Sequence, residues 1–458
     1  MVHQKCSYLK LKGQTYYFSR RVPKRIQKHF KTDRVEVCLH TTLESSARRQ
    51  SQVLANELED HWYILRRREM KDRLSNVFGG FEYPTFLTQY SDPSTPSSRT
   101  IIIPLGDPPM SLPSKMSGVV LTGHGGPEKL EWRGELSVPT PGARDVVVRV
   151  SAAAVNNTDI NTRTAWYSKG NGESDDASWS GKALSFPRIQ GADVCGHIVA
   201  VGDEVDSARV GERVLIEPCI READGKALET PWYFGSECDG GFAQYTRVAA
   251  RHAYPVESTL SDLELASFPC SYSTAENMLT RAAVKSGETV LVTGASGGVG
   301  SAAVQLASAR GARVIAVTSL GKAEKLKALG AEETLDRDAD YVSALGAGQV
   351  DVVIDLVAGP KWPSLMDVLR AGGRYAVAGA IGGPLVELDV RTLYLKDLSF
   401  FGCTVLEPQV FGNLVELIER GDVAPLVAET YPLREINAAQ DAFGAKGHIG
   451  KIVLKLDQ

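Results

Sequence analysis

Nowhere in this 458-residue chain does an apolar run approach the roughly 20 residues that a membrane span requires. The first twelve residues are polar and basic, which does not suit a secretory leader. Cysteine is sparse: Cys6, Cys38, Cys195, Cys219, Cys238, Cys270 and Cys403 are scattered, odd in number, and form no Cys-x-x-Cys pair. That pattern argues against a disulfide framework and points to a soluble protein in the reducing cytoplasm. No charge of one sign dominates, but the net −4 hides an asymmetry. Residues 1–115 carry 19 Lys+Arg against 11 Asp+Glu, or +8, and the remainder carries 32 against 44, or −12. Only the basic head is suited to polyanions. The length predicts two or three domains.

The most informative stretch that is present is Val290–Gly300, VLVTGASGGVG. A short apolar strand runs into a glycine-dense turn, and the small residues from Ser301 onward begin a helix. This is the setting of a dinucleotide fingerprint, in which backbone N–H groups at a helix N-terminus meet a pyrophosphate. In the Gly-x-Gly-x-x-Gly register Ala295 replaces the first glycine, followed by Gly297 and Gly300. Ser296, Gly297, Gly298 and Val299 are therefore candidate cofactor contacts; a tight turn without ligand is the bland alternative. Apolar strands at Arg313–Thr318, Val350–Asp355 and Arg374–Ala378 alternate with helical segments. Such runs predict a parallel sheet covered on both faces, a doubly wound Rossmann domain.

An acidic residue at the end of the second strand would hold the ribose 2′-OH of NAD. Here that strand ends in Thr318-Ser319-Leu-Gly-Lys322, with no carboxylate before Glu324. Two hydroxyls and an ammonium suit a 2′-phosphate, so NADPH is the expected cofactor. The alternative is that Lys322 is a solvated residue at a helix start.

Ahead of this body, Tyr8–Lys12, Thr15–Arg20 and Arg34–His40 read as strands. Thr41-x-x-Glu44 forms a capping box for a helix carrying Leu54, Leu58, Trp62 and Leu65. Seven prolines between residues 79 and 115 mark a linker. The head resembles the N-terminal segment of phage-type tyrosine recombinases through Tyr16-Tyr-Phe-x-Arg20-Arg-Val-Pro23, Val37-x-Leu39-x-Thr41 and Ala47-Arg-Arg49. The resemblance implies DNA as a partner, but no histidine has arginine three positions on, so strand-cleavage chemistry is not expected. A solvated basic face is preferred over nucleic-acid binding.

From Met116 onward the chain resembles the zinc-free quinone-reductase and enoyl-reductase branches of the medium-chain dehydrogenase/reductase superfamily. The motifs are Pro141-Gly-x-x-Asp-Val-Val-Val-Arg-Val150, Gly191-x-Asp193-x-x-Gly196, Gly211-Glu-Arg-Val214, Gly240-Gly-Phe-Ala-Gln-Tyr245, Thr274-Ala275 and Gly447-His-Ile-Gly-Lys451. The resemblance implies α/β architecture, a GroES-like β-barrel interrupted by the Rossmann domain and completed by the last strands. The expected division is a basic domain at 1–78, a linker at 79–115, the barrel at 116–256, the Rossmann domain at 257–407 and a return to the barrel at 408–458. It also implies a homodimer.

Zinc-binding members carry cysteine where this chain has Asn156, histidine where it has Ala192, and a second cysteine matching Cys270. One ligand of three survives, and Cys219 and Cys238 are too few for a structural site, so no metal is expected. His197 reads as an ordinary packed or surface residue. Asn156-x-x-Asp159-Ile-Asn161, followed by Tyr167, resembles the enoyl-reductase signature. It implies Tyr167 as proton donor, Asn156 as an orienting group and Thr158 as an assistant, with pocket packing the alternative for Tyr167. Thr274 and Lys451 are implied cofactor contacts, Lys451 completing the phosphate site. Residues 168–182 read as a lid over the cleft or as a plain surface insertion. The leading expectation is an NADPH-dependent, zinc-independent reductase of a quinone or an α,β-unsaturated carbonyl. The alternatives are a DNA-associated redox sensor and a catalytically silent NADPH-binding protein.

Overall fold

A computed structural model describes residues 9–12, 15–21, 34–38, 112–168 and 178–456. The chain divides into two compact units, Met1–Pro104 and Leu105–Gln458. In the first, strands Leu9–Lys12, Thr15–Arg21 and Arg34–Cys38 form an antiparallel sheet in chain order, with Leu11 opposite Tyr16 and Phe18 opposite Val37. The helix expected after Thr41, the linker up to residue 111 and the middle of the 168–182 insertion lie outside the described residues.

The second unit begins as a β-barrel organised around Asp145–Ala154. Its first half pairs with Tyr245–Ala249 and its second half with the terminal strand Lys451–Lys455, while Asp193–Val201 runs along its other side. One strand can serve two partners because register shifts at Val147/Val148 and Val150/Ala152 bend it. Val146, Val148, Val150, Ile198, Phe242, Ile452 and Leu454 fill the barrel core. The strand Lys451–Lys455 thereby begins beside Val155 and Asn156, where the site is built.

The six-stranded parallel sheet has the order Glu333–Asp336, Arg313–Thr318, Thr289–Val292, Val350–Asp355, Leu369–Val377, Ser399–Gly402. The chain leaves the centre toward one edge and returns to build the other half, which opens a crevice at the carboxyl ends of Thr289–Val292 and Val350–Asp355. Alternation along each strand feeds two cores. Val290, Val292, Val352 and Ile354 face one, and Leu291, Ile315 and Val353 face the other with Trp362 and Leu365. The first core is closed by helices α2 (Pro269–Arg281) and α3 (Gly298–Ala309); helix α1 (Asn157–Arg163) belongs to the barrel side of the cleft.

Two boundaries differ from the sequence pattern. Helix α3 starts at Gly298, a turn before Ser301, because glycines carry no periodic signal; extended Gly297 (φ −72°, ψ 171°) caps it. Helix Val410–Arg420 packs Phe411, Leu414 and Ile418 into the Rossmann core, so the return suggested from residue 408 reaches the barrel only at Val427–Pro432. No helix among the described residues is long and apolar enough to cross a membrane.

Candidate active site

Between the glycine turn and the barrel lies a cleft of about 430 Å³, lined by Asn156, Thr158, Tyr167, Thr274, Gly297–Val299 and Lys451. It brings together most of the residues the sequence singles out. A larger groove of about 640 Å³ on the barrel, beside Leu136, Trp232 and Tyr245, shares no residue with it and contains none of the candidate chemistry.

The barrel wall of the cleft is organised by one buried carboxylate. Asp193 Oδ2 lies 2.8 Å from Lys451 Nζ and accepts from Asn156 Nδ2 at 2.8 Å. Its Oδ1 accepts from the Cys270 backbone N–H at 2.6 Å. Lys451 Nζ also donates to Asn156 Oδ1 (2.5 Å) and to the Val155 carbonyl (3.0 Å). Both charged groups are 2% exposed or less, and each finds several partners, as burial of an ion pair demands. The Lys451 stem passes Gly298, but its ammonium ends on Asp193. The sequence-based expectation that this ammonium completes the phosphate site is thus corrected in position: Asp193 draws it to the barrel wall.

Asp159, in the first turn of α1, accepts from the Asn156 backbone N–H at 2.8 Å, closing the turn. Burial raises its carboxyl to about 7, against the lowering effect of that bond and of Lys451. A carboxyl raised this way costs stability as pH climbs from about 4, where the unfolded chain ionises, to about 7. Asp159→Asn is expected to raise the thermal midpoint by about 5 °C at pH 8 and to be near neutral at pH 4. An equal difference at both pH values in a thermal melt would contradict this.

Two phenols face the cleft. Tyr167 donates to Thr158 Oγ1 at 3.2 Å, and burial raises its pKa, keeping the proton on. Tyr233 is 6% exposed, and its hydroxyl lies 2.9 Å from Cys270 Sγ. Burial pushes the Cys270 thiol up to about 12, with Asp193 adding to the shift. Trp179, at the described end of the insertion, stacks on Tyr233 at 5.0 Å between centroids. Glu237 fixes that stack by accepting from Ser180 N–H (2.7 Å) and Tyr233 N–H (2.8 Å).

On the Rossmann wall, a Cβ at Gly298 would come within 2.6 Å of Ser271 Oγ, and one at Gly300 would collide with the Gly294 carbonyl. Only glycine lets the turn lie this close to its neighbours. Thr274 lines the wall and donates to the Cys270 carbonyl at 2.7 Å. The Ser296 carbonyl faces the Gly450 N–H, tying the turn to the terminal strand. Thr318, Ser319 and Lys322 sit at the end of the next strand, outside the cleft lining. Thr318 Oγ1 is buried without a hydrogen-bond partner among the described residues. Lys322 donates to the carbonyls of Lys446 and His448, both at 2.8 Å, and pairs with no carboxylate among the described residues. Lys446 lies over the Phe443 ring, and burial lowers its ammonium to about 8.

Among the described residues no three His, Cys, Asp or Glu side chains are grouped to hold a metal ion. At the positions where zinc ligands are anticipated stand an amide tied to Lys451, an alanine and a protonated thiol. His197 lies on Asp193–Val201 opposite Arg213, with Ser151 Oγ 3.5 Å from its ring. Sequence reasoning missed the Asp193–Lys451 pair and Tyr233. Asp193 stood within a quoted motif, but its partner comes from the far end of the chain. Tyr233 comes from a hairpin strand, Lys226–Tyr233, without a motif.

Residues 142–258 match the alcohol dehydrogenase GroES-like domain, and residues 298–420 match the family described as zinc-binding dehydrogenase. The quinone oxidoreductase of Rattus norvegicus is 31% identical over 346 residues, covering 72% of this chain and 95% of its own. The chain belongs to the medium-chain dehydrogenase/reductase superfamily. Another member, the acryloyl-coenzyme A reductase of Metallosphaera sedula, is 30% identical over 352 residues, covering 74% of this chain and 99% of its own. The crystal structure of a putative alcohol dehydrogenase from Sinorhizobium meliloti 1021 superposes with a TM-score of 0.69 at 44% identity, covering 76% of this chain and 98% of that one. As a superfamily member the chain is an oxidoreductase with a GroES-like barrel and a Rossmann sheet. Residues 8–67 match a domain of unknown function, DUF6538, which does not conflict with the recombinase-like pattern.

Proposed function

We propose that this chain is an NADPH-dependent, zinc-independent reductase of quinones or α,β-unsaturated carbonyl compounds. One observation carries the reading: a protonated hydroxyl pair, Tyr167 and Thr158, shares a single cleft with a glycine-lined helix N-terminus. When bound, a nicotinamide cofactor would supply the hydride. Backbone N–H groups of Gly298 and Val299, at the start of α3, would hold its diphosphate. Asn156, locked by Lys451 and Asp193, orients the carboxamide or the substrate carbonyl. Tyr167 holds a proton at its hydroxyl for delivery to the α-carbon of an enone once hydride has reached the β-carbon, and Thr158 steadies that hydroxyl. Hydroxyl donors take the place of a Lewis acid here, because Asn156 and Ala192 offer zinc neither thiolate nor imidazole.

Support for NADPH over NADH comes from the orphan Thr318 hydroxyl and the carbonyl-tethered Lys322 ammonium, both where a 2′-phosphate would lie. Lys322→Ala is expected to weaken NADPH about 10- to 100-fold and NADH about twofold or less, as one charge-assisted phosphate contact is lost. Fluorescence titration with both cofactors checks this; equal losses would remove the phosphate assignment. Cys195, Cys219, Cys238, Cys270 and Cys403 are free thiols, which suits the cytoplasm. A homodimer formed at the edge strand Ser399–Gly402 would cover the exposed Leu385, Val390, Tyr394 and Leu395.

A further inference from the structure

Tyr233 lines the cleft, and neither motif nor resemblance assigns it a role. Its ring is stacked on Trp179, its backbone is tied to Glu237, and Ala192, Tyr233 and Cys270 form one small buried cluster. The side chain at 192 is only a methyl, and the phenol reaches across to the Cys270 sulfur. A phenolic oxygen accepts and donates, whereas sulfur is a weak acceptor. Because the Cys270 thiol keeps its proton, it can donate to the Tyr233 oxygen and leave the phenolic O–H for the cleft. Tyr167 already donates to Thr158, so the two phenols have separate partners and can serve separate substrate atoms.

We propose that Tyr233, anchored by Cys270, donates the hydrogen bond that holds the substrate's carbonyl oxygen, in the place a metal would otherwise polarise it. This rests on the reductase reading above and names the electrophile within that site. In reduction of an enone, hydride reaches the β-carbon, the C=C pair moves into the Cα–carbonyl bond, and the carbonyl π pair moves onto oxygen. The resulting enolate carries one negative charge. Tyr233 stabilises it by hydrogen bonding without losing its proton. The Tyr167 hydroxyl then protonates Cα, collapsing the enolate to the ketone, and recovers its proton from solvent.

The test uses the full chain and the chromophoric enal 4-dimethylaminocinnamaldehyde, whose absorption moves to longer wavelength when its carbonyl accepts a hydrogen bond. Wild type is expected to shift the band on binding, Tyr167→Phe to retain the shift, and Tyr233→Phe to lose it. Cys270→Ala, which removes the anchor and leaves the phenol, should reduce the shift. In NADPH-dependent reduction of 2-cyclohexenone, Tyr233→Phe should lower kcat about 100-fold with KM for NADPH unchanged. A wild-type spectrum without a shift, or a Tyr233→Phe spectrum that keeps it, overturns the proposal. If the shift depends on Tyr233 but neither enones nor quinones consume NADPH, the reductase reading fails while the Tyr233 assignment stands.

Discussion

Lys451→Met is expected to lower the stability of the Leu105–Gln458 unit by about 3–5 kcal/mol, the usual consequence of leaving a buried charge without its partner. Asp193 is fully buried, and after the change its carboxylate keeps, among the described residues, the Asn156 amide and the Cys270 N–H. Methionine fills the aliphatic path past Gly298, so lost packing contributes little. Urea unfolding of the full chain checks the magnitude through the transition assigned to this unit. The double variant Lys451→Met/Asp193→Leu should recover part of the loss, since it removes the stranded charge as well. A single variant within about 1 kcal/mol of wild type would mean that the pair is not the keystone of the cleft wall.

Tyr167→Phe is expected to lower kcat on enones by about 10²- to 10⁴-fold, the range associated with removing a positioned proton donor. Affinity for NADPH should not change, because the Tyr167 ring remains and the glycine turn is untouched. Burial raises the phenol above its ordinary value, so its own ionisation should put no limb in the turnover profile below about pH 9. Steady-state kinetics with NADPH and 2-cyclohexenone measure both effects. Unchanged turnover in the variant would return Tyr167 to a packing role.

The four central strands of the sheet were legible in the sequence because they are largely buried, whereas the less buried edge strands Glu333–Asp336 and Ser399–Gly402 were not. Arg313–Thr318 and Val350–Asp355 read as mostly apolar runs, and they occupy those positions in the fold. The start of α3 was less legible, because the fingerprint glycines that open it have no side chain to display a period. Within the cleft, Asn156, Thr158 and Tyr167 could be found because they lie together on one short segment. Thr274 and the Gly297–Val299 turn were marked by their own local motifs.

Relations between distant segments were hidden. The ammonium of Lys451 ends on Asp193 because the final barrel strand pairs with Asp145–Ala154, and nothing local to either residue announces that pairing. Lys322 presents in sequence as a lone cation at a helix start. Its orientation comes from two carbonyls of the terminal segment. Tyr233 falls among the aromatics Trp232-Tyr-Phe234, which any hairpin beside a core could carry.

On the proposed reading, hydride passes from NADPH to an enone or quinone in a cleft whose electrophiles are hydroxyls. The most direct test is the loss of absorbance at 340 nm when chelator-stripped full-length protein meets NADPH and an enone or quinone. Turnover is expected to survive stripping undiminished. No oxidation with any acceptor, or activity that returns only on adding zinc, would contradict the account.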